Sequence, residues 1–366
     1  HTFTGNNWNT TQTVTVSGVN DNDRDRHQDY KISLTAADQF TDNPEVTTLA
    51  GSGSTGSTNA TGTSAKFNYP RSIISDGTNL YVADRSNHAI RKIVISTGAV
   101  TTLAGSPGSS GSTDGTGTSA RFNIPRGITT DGTNLYVTDT NNHTIRKIVI
   151  STGVVTTIAG SAGTNGTTDG SSTSARFKWP RGITTDGTNL YVTDTDNHKI
   201  RKIVISTGVV TTLAGSGSSG STNATGTSAK FYYPRGITTD GTNLYVSDTN
   251  NHMIRKIVIS TGVVTTLAGR TSSGSTDAVS TDARFYNPRD LTTDGTNIYV
   301  TDESNHTIRK IVISTGVVTT LAGSGSSGST DATGTSAKFY YPRGITTDGT
   351  NLYVSDTFNH RIRKIE

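Results

Sequence analysis

The sequence predicts an all-β protein whose main domain is a six-bladed β-propeller over residues 46–366. One unit recurs every 54 or 55 residues, because the string TTLAG, or TTIAG once, ends at six glycines: Gly51, Gly105, Gly160, Gly215, Gly269 and Gly323. The chain is rich in Gly, Ser and Thr, and all but three of its 28 acidic residues are Asp, which favours turns. The last unit also lacks one strand, which the start of the domain can supply.

Each unit divides into a part of fixed length and a part of variable length. Each of the first five repeat prolines lies 35 residues before the next glycine of the set, whereas 19 or 20 residues separate a glycine from the next proline. In the second unit the fixed part predicts strands over residues 127–130, 135–138, 145–150 and 154–159. Four antiparallel strands at a fixed period indicate a propeller blade. The variable Gly/Ser/Thr-rich segment is predicted to be a surface loop.

The two ends of the domain are predicted to complete one blade together. The chain ends at Glu366, just after the third strand of the last unit, at residues 361–365. Residues 46–50 have the pattern of a fourth strand and precede the first complete unit. Pairing of these two segments would close the ring and remove an open sheet edge.

Composition limits the remaining possibilities. There is no Cys, which excludes disulfides and thiolate metal sites. No apolar run approaches the roughly 18 residues of a membrane span, so no span is expected. Residues 1–45 have a net charge of −4 and the rest of the chain +8, but the basic residues recur blade by blade, as in Arg146-Lys147. Without one basic patch, no nucleic-acid partner is expected. High Thr, Asn and Gly with little Lys and Glu is typical of bacterial secreted proteins, and the start at His1 indicates a trimmed product.

The repeated segment also resembles a known family. FNIPRGITTDGTNLYVTDTNNHTIRKI, residues 122–148, resembles the NHL repeat in its Phe-x-x-Pro-x-Gly-Ile, Tyr-Val-x-Asp and Asn-His-x-Ile elements. The match recurs six times, and its loops are similar to those of the bacterial secreted type. The resemblance implies a propeller. Relatives of this kind include RNA-binding domains, a metal-dependent lyase and sensor domains, so function has to be argued from the site.

Residues 1–45 are predicted to form a separate, short β-rich segment. Residues 5–38 resemble the C-terminal part of a Calx-β-like sandwich repeat, with about three strands. Such a segment needs another surface to pack on. That surface is either its own propeller or a neighbouring molecule, which would give a homo-oligomer or filament. Asp21, Asp23 and Asp25 are weak calcium-ligand candidates, with a solvated turn as the alternative.

Several polar residues recur in every blade and are therefore predicted to be structural. In the second blade they are Asp139, Asn142, His143 and Arg146. A catalytic triad needs unlike groups at one place, whereas six copies lie around a ring. We expect the Asp to cap the turn after the second strand, and the Asn and His to satisfy main-chain groups in the following loop. The one-off residues are scattered over the chain and provide no acid–base pair: Lys199, Met253, Asp290, Glu303, Phe358 and Arg361.

Two sets of residues at the inner strands are the binding candidates. The arginines after the repeat prolines could form an anion-binding ring, or each could pair with an Asp such as Asp84 or Asp139: Arg71, Arg126, Arg181, Arg235, Arg289 and Arg343. Variable residues before the prolines could form an interaction rim for a protein or glycan, or pack beneath the long loops: Tyr69, Lys178, Trp179, Tyr232, Tyr233, Tyr286, Tyr340 and Tyr341.

These observations favour a secreted, extracellular, non-enzymatic propeller that acts as an interaction or assembly module and self-associates through its N-terminal strands. No catalytic residue and no cofactor is assigned, and calcium is the one candidate ion. The alternatives are a lyase-like or lactonase-like enzyme with a metal in the channel, and an RNA-binding propeller.

Overall fold

The computed structural model describes residues 43–366, and these form six antiparallel sheets arranged as blades around a central channel. The inner strands of neighbouring blades contact each other, including those of the first and last blades. The predicted six-bladed propeller is therefore confirmed. The predicted β-rich segment and the calcium candidates Asp21, Asp23 and Asp25 lie outside the described residues.

Every blade has four main strands, which follow one another from the channel outward. Their bounds in blades one to three are Pro70–Ser75, Asn79–Asp84, Ala89–Val94 and Val100–Ala104; Pro125–Thr130, Asn134–Asp139, Thr144–Val149 and Val154–Ala159; Pro180–Thr185, Asn189–Asp194, Lys199–Val204 and Val209–Ala214. In blades four to six they are Pro234–Thr239, Asn243–Asp248, Met253–Val258 and Val264–Gly269; Pro288–Thr293, Asn297–Asp302, Thr307–Val312 and Val317–Ala322; Pro342–Thr347, Leu352–Asp356, Arg361–Ile365 and Glu45–Ala50.

Shorter elements complete the sheets. Four blades gain a two-residue edge strand from the preceding long loop: Gly115–Thr116, Gly170–Ser171, Ala278–Val279 and Ala332–Thr333. One set of 3-10 turns lies in the long loops: Gly62–Ser64, Gly117–Ser119, Ser172–Ser174, Gly226–Ser228, Ser280–Asp282 and Gly334–Ser336. The other set follows the second strands: Arg85–Asn87, Thr140–Asn142, Thr195–Asn197, Thr249–Asn251, Glu303–Asn305 and Thr357–Asn359.

The hydrophobic core is divided into six clusters, each lying between two neighbouring blades. In one of them Tyr81 and Ile90 of the first blade pack against Phe122, Leu135 and Ile148 of the second blade or its long loop. Both faces of a blade are thus covered by neighbours. This explains why the second strand is buried at successive positions, as from Leu135 to Asp139, and not at alternate ones.

The ring is closed by the N-terminal strand, as predicted. Glu45–Ala50 pairs antiparallel with Arg361–Ile365, and Val46 lies opposite Ile365. Asp331 in the long loop of the same blade accepts hydrogen bonds from both the main chain and the hydroxyl group of Thr48. The first and last parts of the propeller therefore form one sheet.

A buried ion pair joins the second and third strands of every blade. In the second blade Arg146 and Asp139 have fully buried side chains, with 2.8 Å between Nη1 and Oδ2. The Asp139 carboxylate also accepts hydrogen bonds from Asn142 Nδ2 and from the Asn123 main-chain N–H. Burial raises the pKa of Asp139 to about 6, although Arg146 opposes the shift. The pairs of the other blades are Asp84–Arg91, Asp194–Arg201, Asp248–Arg255, Asp302–Arg309 and Asp356–Arg363.

The same arginine folds the long loop onto the blade. Arg146 donates to the carbonyl groups of Arg121 and Thr113, and its second Nη lies 2.7 Å from Asp114. Its guanidinium group stands 5.1 Å from the centre of the buried Phe122 ring, a cation–π distance. The prediction of a plain surface loop was therefore incomplete, because the end of this segment belongs to the core.

The repeated histidine connects neighbouring blades. His143 has left-handed main-chain angles at the end of a 3-10 turn. Its Nδ1 accepts a hydrogen bond of 3.2 Å from the main-chain N–H of Trp179, which leads into the next blade. Trp179 also has a positive φ of 48°, which is costly for a bulky residue. The expectation that Asp139 caps the turn and that His143 serves its own loop was wrong, since the Asp makes no cap bond and the His bonds the next blade.

We expect Asp139→Asn to lower the free energy of unfolding by about 3–5 kcal/mol, because it removes the fully buried carboxylate that pairs with Arg146 and leaves only the half-exposed Asp114 as a partner. Asp114→Asn is the matched control and should cost less than about 1 kcal/mol, as Asp114 is half exposed. Asn59 and Asn223 already bond the corresponding arginines in two other blades. Urea denaturation measures both values, and equal losses would contradict this ranking.

His143→Gln tests the connection between blades through its pH dependence. Burial lowers the pKa of His143, so folding favours the neutral ring that accepts the Trp179 N–H. The contribution is therefore complete above the unfolded pKa of about 6.5 and is lost as the pH falls below it. We expect the variant to be about 1 kcal/mol less stable at pH 8, with the difference shrinking by pH 5. A pH-independent difference, shared with His143→Asn, would indicate main-chain strain instead.

Candidate functional site

The arginines that follow the repeat prolines form a ring around one opening of the channel, which we call the channel mouth. All six are present in it: Arg71, Arg126, Arg181, Arg235, Arg289 and Arg343. In every blade the pairing of the inner strand shifts at this point, as between Pro125 and Ile128. Such bulges redirect side chains out of the regular alternation of a strand. The fold therefore brings together six guanidinium groups that are far apart in sequence.

The residue after each arginine closes the channel below the mouth. In four blades this residue is glycine, and a Cβ on Gly127 or Gly182 would lie 2.0 Å from the carbonyl oxygen of the next blade's arginine. Only glycine permits so close an approach of two main chains. The remaining central cavity has a volume of about 40 Å³. The channel is thus filled largely by main chain.

Asp290 and Ser72 stand at the glycine position in the two remaining blades, and they meet inside the channel. Ser72 Oγ donates to Asp290 Oδ2 at 3.1 Å, and the Leu291 N–H donates to Oδ1 at 3.0 Å. Burial raises the pKa of Asp290 to about 7. This carboxyl group occupies the space that small residues leave elsewhere.

One half of the channel mouth contains a counter-ion, Glu303, which offsets part of its positive charge. This carboxylate pairs with Arg289 at 2.9 Å, contacts the Nε of Arg343, and lies 3.8 Å from Arg235. Arg343 additionally stacks over the Phe358 ring at 4.9 Å. These three arginines therefore have a resident counter-ion.

The other half of the channel mouth has an excess of positive charge. Within the described residues 43–366, no carboxylate lies within ion-pairing distance of Arg71, Arg85 or Arg126. The Nε atoms of all three are buried without a hydrogen bond. Burial, followed by repulsion from neighbouring arginines, lowers the pKa values of Arg71 and Arg126 well below the usual range. Such a group of charges favours a bound anion.

The alternative that these arginines pair with Asp84 or Asp139 is wrong. Each of those carboxylates is engaged by the arginine of the third strand, Arg91 or Arg146, inside the blade. The sequence shows equal numbers of both arginine types, so counting could not decide between them. The structure decides, because the third-strand arginines lie beside these carboxylates inside the blade, whereas the arginines after the prolines line the channel mouth.

A larger depression, the side cleft, lies beside the channel mouth and has a volume of about 490 Å³. Its aromatic wall includes Trp179 and Tyr233, and its charged wall includes Arg126, Arg181 and Asp196. Asp196 Oδ1 lies 3.8 Å from Arg181 and makes no hydrogen bond in the described structure. Burial raises the pKa of Asp196. This cleft combines cationic, aromatic and hydrogen-bonding groups.

The predicted rim residues lie around the same opening but in different surroundings. Trp179, Tyr232, Tyr286 and Tyr340 have exposed side chains, between 37% and 44% of their surface. All four have their rings within about 6 Å of the histidine of the preceding blade. A separate aromatic cluster forms at Phe358: Tyr69, Tyr340 and Tyr341. Lys178 is half-buried and lies beside Asp196.

Arg85 is a functional candidate that the sequence-based prediction did not include, and the contacts among the one-off residues were not predicted either. Arg85 occupies the position after the second-strand Asp of the repeat, where four blades have Thr and the fifth has Glu303. In those four blades the Thr hydroxyl bonds the next blade's proline carbonyl, as Thr140 does with Pro180. A comparison of the six copies at this position would have found both charged exceptions. Lys199, Met253 and Arg361 instead begin third strands and do not line the mouth or the cleft.

The remaining candidate chemistry is limited. Within residues 43–366, no three His, Asp or Glu side chains are grouped in a way that could hold a metal ion. The repeat histidines are separated around the ring, and each accepts a main-chain N–H of the following blade. In the described part of the chain, no helix has the length and apolarity needed to cross a membrane.

Comparison with known proteins agrees with this architecture. The family model of the NHL repeat matches residues 122–148. NHL repeat-containing protein 2 of Gallus gallus is 28% identical over 338 residues, which cover 81% of this chain and 46% of that protein. The chain thus spans less than half the length of this relative.

Two solved structures illustrate the range of functions on this fold. An auxiliary nutrient binding protein of Bacteroides thetaiotaomicron has a TM-score of 0.67 and 19% identity, covering 88% of this chain and 76% of its own. A streptogramin B lyase has a TM-score of 0.51 and 16% identity, covering 88% of this chain and 98% of its own. At these identities the similarity extends to the fold alone. The chain is a six-bladed β-propeller, and residues 122–148 of it match the NHL repeat.

Proposed function

We propose that this propeller is a secreted, non-enzymatic binding module that takes a negatively charged ligand at the channel mouth. The observation that carries the proposal is the group formed by Arg71, Arg85 and Arg126, which has no acidic partner among residues 43–366. A carboxylate or phosphate group would neutralise it and accept several hydrogen bonds at once. Localisation outside the cell is proposed from composition alone.

The fold gives no structural reason for these charges. The Nε atoms of Arg71 and Arg126 are shielded from water and make no hydrogen bond in the described structure. Arg85 replaces a threonine that elsewhere bonds the neighbouring blade. Unneutralised charge in a half-buried position destabilises a protein, and such groups are found preferentially at binding sites.

An enzymatic role receives less support from the same residues. The acidic groups at the mouth are engaged: Glu303 by arginines, and Asp290 by Ser72 and main chain. The repeat histidines are used as acceptors between blades. Each of these groups is already used in a structural contact, so none of them stands out as a nucleophile or general base. We therefore propose binding in place of catalysis.

An RNA-binding role also receives less support. The unpaired arginines are recessed at a channel mouth above a cavity of only about 40 Å³. A nucleic-acid backbone needs a run of accessible basic groups. A recessed cluster suits a single anionic group better than a polyanion.

Assembly through the N-terminal segment is a further part of the proposal. The sequence of residues 1–45 predicts strands that would need a pairing partner, and strand addition to a neighbour would supply one. We expect the full chain to elute as an oligomer or to form fibres, and a chain starting at residue 41, which keeps the closing strand, to elute as a monomer. Size-exclusion chromatography with light scattering measures this. A full chain that stays monomeric at high concentration would contradict self-assembly.

The anion site is tested by thermal unfolding in the presence of inorganic phosphate. Phosphate should raise the Tm of the wild type relative to chloride at equal ionic strength, because it binds the folded state alone. Arg126→Ala should abolish this shift. It should also leave the ligand-free protein as stable or more stable, since it relieves repulsion from Arg181 and Arg85.

Arg121→Ala is the matched control. This arginine bonds carbonyl groups of a 3-10 turn in the long loop and does not line the mouth, so the phosphate shift should persist. A phosphate effect that survives in Arg126→Ala would place the anion elsewhere and refute the proposed site.

A further inference from the structure

The side cleft contains more than the anion site needs. A bare anion requires only arginines, yet the cleft also presents an exposed indole ring and a carboxylate. At about 490 Å³ its volume falls in the range of about 300–1,000 Å³ that small-ligand sites occupy. The indole ring and the carboxylate each favour a different part of a ligand.

Trp179 is not needed by the fold at its position. The structural role there belongs to the main-chain N–H, which bonds His143. Ile124 and Asn287 make the same bond in other blades with unrelated side chains. The indole ring is nevertheless 41% exposed, and the hydrogen bond to His143 fixes the main chain that carries it. A fixed, exposed aromatic ring offers a flat surface to which the C–H face of a sugar ring can pack.

Asp196 is likewise an exception among equivalent residues. Its main-chain N–H bonds the Lys178 carbonyl, a role that Asn141 and Asn250 fill equally well. Its Oδ1 is shielded from solvent and lacks a hydrogen bond. An unsatisfied, buried acceptor of this kind is costly. The side chain is 11% exposed and lines the cleft, so hydroxyl groups of a ligand can donate to the part of the carboxylate that faces the cleft.

The charges around the cleft select among ligands. Asp196 repels a compact anion such as phosphate, whereas Arg126, Arg181 and Arg235 repel an ammonium group. A ligand that satisfies both walls has its negative charge at one end, neutral hydroxyl donors at the other, and a C–H face between them. Hexuronic acids have this arrangement.

We propose that the side cleft binds a hexuronic acid residue of an acidic saccharide, with its carboxylate at Arg126, its ring on Trp179 and its hydroxyl groups at Asp196. The assignment rests on the proposed anion-binding function and specifies its ligand class. Asn141 and Asn250, which also line the cleft, offer amide groups for further hydroxyl contacts.

Isothermal titration with trigalacturonate tests this assignment, with the neutral galactose trisaccharide and inorganic phosphate as comparison ligands. The wild type should bind trigalacturonate at least ten-fold more tightly than either. Trp179→Ile and Asp196→Asn introduce the residues that sister blades use at these positions, so the fold should be retained. Each should weaken trigalacturonate binding several-fold. Asp196→Asn should leave phosphate binding unchanged or stronger, because it removes a repulsive charge.

Tyr286→Ala serves as the matched control, since this exposed tyrosine lies outside the side cleft; its affinity for trigalacturonate should equal that of the wild type. Equal binding of the neutral trisaccharide would overturn the acidic-sugar assignment. Trigalacturonate binding that depends on Arg126 but is unaffected by Trp179→Ile and Asp196→Asn would also overturn it, while the anion-binding function would stand. No binding of either anion would refute both.

Discussion

The buried Asp–Arg pair is the interaction on which the rest of each blade depends. Two charges withdrawn from water are stable only if their remaining hydrogen bonds are satisfied. In the second blade these bonds extend from Asp139 to the start of the inner strand and from Arg146 to the long loop. The pair thereby fixes the relation between second strand, third strand and loop. Six such pairs, one in each blade, explain why Gly/Ser/Thr-rich loops adopt a defined course in a protein without disulfides.

The Asp of each pair also helps to fix the main chain that leads into the channel mouth. Asp194 accepts the main-chain N–H of Lys178, and His143 of the preceding blade accepts that of Trp179. Pro180 then fixes the next φ angle, and Arg181 follows at the bulge. Lys178 and Trp179 are thus held by their main-chain hydrogen bonds, which leaves these two side chains free to vary from blade to blade. The fold provides six such positions, and the sequence differs among them at little structural cost.

This arrangement explains how far the sequence could predict the structure. The blade strands and the closure by residues 46–50 follow from local periodicity, which is a short-range property of the chain. The meeting of Ser72 with Asp290 does not, because the two residues are 218 positions apart and depend on ring geometry. For the same reason the position of Glu303 as a counter-ion and the missing partner of Arg85 emerge only when the blades are assembled. The repeat identifies exceptions, and the structure shows which of them are neighbours.

The central claim is that the exceptions at the channel mouth and side cleft serve binding and are not required for folding. A double variant that introduces residues used at these positions in other blades tests it: Arg85→Thr and Asp196→Asn, which together leave the net charge unchanged and keep Glu303 as the counter-ion of Arg289 and Arg343. The measurement is the free energy of unfolding from urea denaturation, combined with titration of trigalacturonate. We expect a variant at least as stable as the wild type, with trigalacturonate affinity reduced about ten-fold or more. A variant that loses several kcal/mol of stability, or that binds trigalacturonate as the wild type does, would contradict it.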